Sequence, residues 1–206
     1  MKINLTNIGK RYNHHWIFRK VGYEFSSENA YVILGSNGSG KSTLLQLIAG
    51  SLSASEGSIA YYHNSVQVPD EQIYSRVSIA APYINLIEAY TLEEIINFHF
   101  QFKQFYPGIN AKNFIDVIDL PAVQNKPLKE FSSGMKQRVK LALAILSDTP
   151  LLLLDEPSVN LDKKGVEWYN LLMNTYRSNR LVIICSNRQK EEYGFCNKEL
   201  MIENYK

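Results

Sequence analysis

The stretch that decides the fold of this chain is Gly35-Ser36-Asn37-Gly38-Ser39-Gly40-Lys41-Ser42, followed at once by Thr43. It matches the pattern G-x-x-x-x-G-K-[ST], in which glycines let the backbone curl so that its N–H groups surround phosphate oxygens. The run 30–34 before it is apolar and rich in strand formers, and the run 43–49 predicts a buried helix that ends at Gly50. The stretch therefore predicts a strand, a phosphate-binding loop and a helix in direct succession.

The residue types in this loop fit a nucleoside triphosphate with Mg²⁺. The helix N-terminus supplies partial positive charge, Lys41 can reach the β- and γ-phosphates, and the Ser42 hydroxyl can ligate the metal. The alternative is an ordinary Gly/Ser loop between a strand and a helix. From ordinary residue frequencies, the pattern G-x-x-x-x-G-K-[ST] arises by chance in roughly one chain in a hundred of this length. We therefore predict that residues 35–43 bind the nucleotide, with Ser42 also a metal ligand.

Size and charge narrow the class of protein. A chain of 206 residues is enough for one domain, or for one domain with a lobe inserted in it. The net charge of +2, with no long basic run, argues against a nucleic-acid partner held mainly by phosphate contacts. The N-terminus lacks the apolar core of a secretion signal, and no segment has the apolar length needed to cross a bilayer. We expect a cytosolic protein that serves a membrane, if at all, through a partner.

The periodicity of apolar residues predicts an α/β core with a helical insertion. Alternating or apolar runs predict strands at 2–8, 16–25, 57–62 and 76–80. A capping box at Thr91 predicts a helix that runs to Pro107, and a second helix is expected at about 110–119. Residues 83–140 thus resemble a lobe inserted into the core. Residues 10–15 predict a turn carrying an exposed Tyr12, which could cover the sheet edge or stack on the base of a nucleotide.

A second motif, which contains two acids, follows the apolar run 151–154. Four leucines predict a strand buried on both faces, and ligands of such sheets bind at the carboxyl ends of the strands. Asp155 could hold Mg²⁺ there, and Glu156 could orient and deprotonate the attacking water. The alternative is a pair of helix-capping acids at a strand-to-helix turn.

The segment 131–138, Phe-Ser-Ser-Gly-Met-Lys-Gln-Arg, opens a helix that we expect to run through Ser147. Its serines can cap the helix. The free N–H groups at its start could also form a second anion site, and the two interpretations are compatible.

The order of these motifs resembles the nucleotide-binding domain of ATP-binding cassette (ABC) transporters over essentially the whole chain. Segment 131–138 resembles the family signature Leu-Ser-Gly-Gly-Gln, segment 159–162 resembles the D-loop, and Tyr12 resembles the aromatic that stacks on adenine. The resemblance implies an α/β P-loop NTPase core with a mainly parallel sheet, an antiparallel β subdomain and an inserted helical lobe. It also implies that residues 1–206 form a single ATP-binding domain.

The resemblance further implies a head-to-tail dimer that sandwiches two ATP molecules, as a homodimer or a heterodimer. Ser132 and Gly134 of one copy would then touch the γ-phosphate held by the other. A transmembrane permease subunit on a separate chain would be the partner, with the ATPase on the inner face of the membrane. The signature variant and the short chain resemble exporter-type subunits. The alternatives are a soluble ABC ATPase and a regulatory nucleotide-binding module with little turnover.

Two positions depart from the family pattern. The loop 80–85 contains no glutamine where the family has one, and Ser186-Asn187-Arg188 stands where the family has a histidine that contacts the γ-phosphate. Asn187 is the expected occupant, and its amide can donate a hydrogen bond but cannot titrate. We expect ATP binding to be retained and hydrolysis, with Glu156 as base, to be slow.

Overall fold

A computed structural model describes residues 1–120, 123 and 125–206, and over these residues the chain forms a mixed α/β fold with two sheets. The antiparallel sheet contains β1 (Lys2–Tyr12), β2 (His15–Ser26), β4 (Glu56–His63) and β5 (Val66–Val68). The parallel sheet contains β3 (Ala30–Leu34), β6 (Val77–Ala80), β7 (Leu151–Asp155), β8 (Leu181–Ser186) and β9 (Lys198–Met201). The fold class predicted from the sequence is confirmed.

The helices are α1 (Lys41–Ile48), α2 (Ile73–Arg76), α3 (Leu92–His99), α4 (Ala111–Ile118), α5 (Ser133–Ile145), α6 (Lys163–Tyr176) and α7 (Lys190–Tyr193). Among the described residues, no helix has the length and apolarity needed to cross a membrane.

The strand order of the parallel sheet, β6-β7-β8-β3-β9, brings the sequence motifs to one edge. Leu34, the last residue of β3, pairs in register with Ser186 of β8, and Asp155 of β7 pairs with Cys185. The carboxyl ends of three neighbouring strands therefore meet. The loop after β3, Asp155 and the segment after Ser186 therefore lie together at the edge of the sheet where ligands of parallel sheets bind.

The two faces of the parallel sheet are covered by different elements. Ile33 and Ile183 face a core shared with α1 and the antiparallel sheet, whereas Val32 and Ile184 face a core shared with α5 and α6. This alternation follows from the pleat, which points successive side chains to opposite faces. Both faces are covered, which explains why β3, β7 and β8 are apolar over nearly their whole length.

Helix α5 joins the helical region to the core. Leu141 and Ile145 pack under the parallel sheet, whereas Val139 and Leu146 pack with α3 and α4. A helix buried on two sides must be apolar around most of its circumference, as the second half of α5 is, at residues 141–145. The predicted insertion at 83–140 therefore ends within a helix that serves both regions.

The prediction of a long helix from Thr91 to Pro107 is wrong in its second half. The capping box at Thr91 forms, with Glu94 N–H donating to the Thr91 hydroxyl, but α3 ends at His99. Beyond it the chain folds back so that the rings of Phe100 and Phe105 stack at 3.6 Å. Aromatic packing thus overrides the local helical pattern. The other predicted helices agree within about two residues at each end, the usual uncertainty of helix limits.

Candidate nucleotide-binding site

The loop 35–40 requires glycine for two reasons that the structure makes explicit. Gly38 has a φ of +74° and Gly40 a φ of +105°, conformations that glycine adopts without steric cost. A Cβ on Gly40 would also lie 2.7 Å from Ile17 Cγ2 and 2.9 Å from Phe18 Cδ1. The antiparallel sheet therefore presses directly on the turn into α1, and the loop keeps its curl only with glycine there.

Lys41, the first residue of α1, turns its buried side chain back into the loop. Its Nζ donates to the carbonyl oxygens of Gly35, at 2.9 Å, and Ser36, at 3.1 Å. The same ammonium lies 3.8 Å from Glu156 Oε1. The Ser39 hydroxyl is buried and has no hydrogen-bond partner among the described residues. A cation and a free hydroxyl thus lie in a loop of the correct shape for phosphate.

Asp155, at the end of β7, is the least satisfied acid of the site. Its residue is 1% exposed, and among the described residues neither carboxylate oxygen has a hydrogen-bond partner. Burial raises the pKa of Asp155 to about 6, against the opposing effects of the nearby Ser42 hydroxyl and Lys41 ammonium. A buried carboxylate without a partner is costly, so this position suits a bound cation. Ser42 and Asp155 are the residues that fit Mg²⁺, which prefers oxygen ligands.

Glu156 adopts a backbone conformation that is uncommon for its residue type. Its φ is +45°, in the left-handed region, and its N–H donates to the Cys185 carbonyl at 2.9 Å. Such a conformation costs of order 1–3 kcal/mol and persists only where the surroundings enforce it, often at functional sites. The turn leaves the carboxylate partly exposed beside Lys41. Glu156 therefore lies where a water molecule in front of the phosphate loop could be activated.

Asn187 lies exposed directly after β8, on the same edge of the sheet as Asp155. The next residue, Arg188, has a φ of +61°, so the chain turns sharply away from the strand. The structure thus places Asn187 just beyond the end of β8, next to β7, which ends at Asp155; its predicted role at the γ-phosphate stays a prediction.

Tyr12 is half exposed, but the predicted turn at residues 10–15 is wrong. Tyr12 is the last residue of β1 and pairs with His15 of β2, which leaves only residues 13–14 for the turn. Lys10 Nζ lies 5.2 Å from the centre of the Tyr12 ring. β1 extends further than predicted because β1 and β2 continue their antiparallel ladder up to the pair Tyr12 and His15, so Tyr12 lies at the end of a strand.

The signature segment begins α5 and packs against the segment that follows β7. Ser132 caps the helix by accepting a hydrogen bond from Met135 N–H at 3.2 Å. A Cβ on Gly134 would lie 2.8 Å from the Asn160 carbonyl oxygen. Ser132, Gly134 and Asn160 line a cavity of about 480 Å³, and among its described lining residues there is none from 35–43. The signature segment and the phosphate loop of one copy therefore line separate spaces.

Three residues near the site were not found from the sequence. Glu203, in the C-terminal segment, accepts hydrogen bonds from Ser36 N–H at 2.9 Å and Ser36 Oγ at 2.6 Å. Tyr83 follows β6, and its pKa is raised by burial and by the nearby Asp155 carboxylate. Glu192 in α7 is buried and accepts hydrogen bonds from Ser158 and Ser186, which lie next to the segments of Glu156 and Asn187. Each acts through tertiary contacts, so spacing along the chain carried no signal for them.

Comparison with known proteins gives a consistent result. The profile of the family described as "ABC transporter" matches residues 18–159. The chain is 27% identical over 165 residues to the "Uncharacterized ABC transporter ATP-binding protein YcbN" of Bacillus subtilis, covering 80% of this chain and 54% of that protein. It is 25% identical over 190 residues to the "Cytochrome c biogenesis ATP-binding export protein CcmA" of Haemophilus influenzae, covering 92% and 90%.

A solved structure agrees at the level of the fold. The dimeric structure of MJ0796, described as a bacterial ABC transporter cassette, superposes with a TM-score of 0.81 at 21% identity. The superposition covers 98% of this chain and 95% of that one. Since the family profile spans more than half of the residues, the chain belongs to the ABC transporter family.

Proposed function

We propose that this chain is the ATP-binding and hydrolysing subunit that powers a membrane ABC transporter through ATP-dependent dimerisation. The observation that carries the proposal is the buried Asp155 carboxylate, which has no hydrogen-bond partner among the described residues and lies beside Ser42 and Lys41. A fold with no ligand to bind would gain by replacing this acid with an apolar residue. Because the chain belongs to the ABC transporter family, we take the ligand of this site to be ATP with a divalent cation.

Residues 35–43 would hold the phosphates of ATP, and Ser42 with Asp155 would hold Mg²⁺. The cation neutralises charge that develops on the phosphate oxygens during phosphoryl transfer. Lys41 would exchange its hydrogen bonds to the Gly35 and Ser36 carbonyls for phosphate oxygens, which carry more negative charge. Tyr12 would stack on the adenine.

Glu156 would act as general base. Its carboxylate would accept a proton from the attacking water, while Asn187 would donate a hydrogen bond from its amide to the γ-phosphate. Asn187 cannot carry positive charge, unlike a histidine, so it would stabilise the transition state less. The proposed ATPase is therefore slow.

One copy would supply only half of each site. Ser132 and Gly134 line a cavity apart from the phosphate loop, so they would meet ATP held by a second copy. The dimeric state named for MJ0796, a structure of the same fold, supports this arrangement. Loss of the γ-phosphate would remove contacts made only in the closed dimer, which would couple hydrolysis to motion.

The second partner would be a transmembrane permease on another chain, with this subunit on the cytoplasmic face of the membrane. The similar protein CcmA is named as an export protein, which supports transport in the export direction. A second candidate function is a regulatory nucleotide-binding module with little turnover. It is favoured by Asn187 at the histidine position and by Tyr83 in the loop that lacks the family's glutamine.

Steady-state phosphate release from the purified chain with Mg-ATP separates the two. We expect slow release from the wild type and none from Glu156→Gln. Glu167→Gln, which changes an exposed acid on α6, is the matched control and should behave as the wild type. Equal release from wild type and Glu156→Gln would refute the role of Glu156. ATP binding without release, alone and with a membrane partner, would favour the regulatory module.

A further inference from the structure

A second buried acid lies beneath the candidate site and, unlike Asp155, is fully paired. Glu192 belongs to the short helix α7 and is 1% exposed. Its Oε1 accepts hydrogen bonds from Ser158 N–H at 3.1 Å and Ser158 Oγ at 2.6 Å, and its Oε2 accepts one from Ser186 Oγ. Three donors thus converge on one carboxylate. With both oxygens occupied by the protein, Glu192 is not available as a cation ligand.

The two serines belong to different loops of the site. Ser158 follows Glu156 by two residues, and Ser186 directly precedes Asn187. A single carboxylate therefore connects the turn that carries the proposed general base with the turn that carries the proposed γ-phosphate contact. A change at Glu192 alone could therefore alter the distance between Glu156 and Asn187.

Gln189 closes the network. Its N–H donates to Ser186 Oγ at 3.2 Å, and its side-chain amide lies 3.1 Å from Ser158 Oγ. The Ser158 hydroxyl has one proton, which the shorter contact assigns to Glu192. The atom of Gln189 nearest to the Ser158 hydroxyl is Oε1, and an amide flip that exchanges it for the NH₂ group would make this contact a hydrogen bond donated to Ser158. Both loops are then held by hydrogen bonds that satisfy each polar group.

Glu192 is itself held from the core. The hydroxyl of Tyr169, a fully buried residue of α6, donates to the Glu192 carbonyl at 2.8 Å. Burial raises the pKa of Glu192, while the serine donors act in the opposite direction. The backbone that carries the carboxylate is thus hydrogen-bonded to a buried residue of α6, and a positioning group needs such support.

We propose that Glu192 is a positioning residue, which fixes the turn at Glu156 and the turn at Asn187 relative to each other. The inference rests on the proposed hydrolysis for its effect on rate, but its structural part does not. The left-handed backbone of Glu156 is costly, and the bond from Glu192 to Ser158 N–H, two residues on, helps to enforce it.

The experiment compares Glu192→Ala and Glu192→Gln with the matched control Glu191→Ala, which removes the exposed neighbouring acid. The first readout is amide hydrogen exchange of Ser158 and Gln189 in the nucleotide-free protein, followed by NMR. Both N–H groups donate into the network. We expect their exchange to be at least about tenfold faster in Glu192→Ala, unchanged in Glu191→Ala and intermediate in Glu192→Gln, which keeps one acceptor oxygen.

The second readout is steady-state kinetics with Mg-ATP. Misplacement of groups that act in the transition state lowers kcat, so we expect Glu192→Ala to lower kcat about 10- to 100-fold and to leave the KM for ATP within about twofold. Glu192→Gln should recover most of the rate. A general loss of folding would not produce this separation of kcat from KM.

The outcomes distinguish this inference from the proposed function. A silent wild type refutes the proposed hydrolysis, and the exchange data alone then decide the role of Glu192. Exchange in Glu192→Ala equal to that in Glu191→Ala overturns the inference. If Glu192→Ala fails to fold, Glu192→Gln replaces it, since this change keeps the size of the side chain and one acceptor oxygen. Its exchange should be faster than that of Glu191→Ala at Ser158 or at Gln189, and equal exchange at both positions would overturn the inference.

Discussion

The buried Asp155 carboxylate should destabilise the nucleotide-free fold although it is the proposed metal ligand, and the size of this effect can be predicted. Burial raises the pKa of this carboxyl to about 6 from an ordinary 3.8. Each pKa unit is worth about 1.4 kcal/mol, so ionised Asp155 destabilises the nucleotide-free fold by about 3 kcal/mol at neutral pH. Asp155→Asn removes the charge and keeps the shape. We expect it to raise the free energy of unfolding by up to about 3 kcal/mol, or Tm by roughly 6–12 °C for a domain of this size.

The change of folding stability with pH shows whether Asp155 stabilises or destabilises the folded state. Because the pKa is higher in the folded than in the unfolded state, the folded state binds more protons between about pH 4 and 6. The wild type therefore gains stability from this group as pH falls through 6, and loses it as pH rises. The difference between Asp155→Asn and the wild type should be largest at pH 7.5 and should nearly vanish near pH 4.

The assay is thermal unfolding of nucleotide-free protein at several pH values, with Asp116→Asn as control because Asp116 is exposed on α4. Mg-ATP should then raise the Tm of the wild type and not that of Asp155→Asn, since the variant loses the proposed metal ligand. If Asp155→Asn is less stable than the wild type at pH 7.5, the reasoning is refuted. That result would mean that the carboxylate already has stabilising partners in the absence of a cation.

Four other substitutions test the remaining residues. Lys41→Ala should weaken ATP binding by at least about tenfold by calorimetry, because it removes the charge that faces the phosphates, and unchanged affinity would contradict the loop assignment. Tyr12→Ala should cost about tenfold in ATP affinity if the ring stacks on adenine, whereas equal affinity would leave it a sheet-edge residue. Glu156→Gln should trap an ATP-bound dimer, visible as doubled mass in light scattering, and a monomer under these conditions would count against the sandwich. Asn187→His should raise the rate of phosphate release if a titratable donor limits the chemistry; an unchanged rate would place the limit at another step.

Local chemistry was sufficient to predict the secondary-structure elements around the proposed phosphate site. The run 30–49 predicted a strand, loop and helix, and the structure has β3, the loop and α1 in that order, because glycine conformations and apolar runs act over a few residues. The capping box at Thr91 likewise formed as predicted. The same local reasoning extended α3 too far, since the stacking of Phe100 on Phe105 decides where that helix ends.

The sequence by itself determined the fold class. It also predicted the residue types proposed to meet ATP, because a phosphate nest needs glycine, lysine and serine at fixed spacing. Only the tertiary structure decided that Asp155 is buried without a partner, that Glu156 has a left-handed backbone and that Glu192 joins the two loops. These properties depend on which strands are neighbours. Ser158 and Glu192 lie 34 residues apart along the chain and meet only because β7 and β8 pair in the sheet.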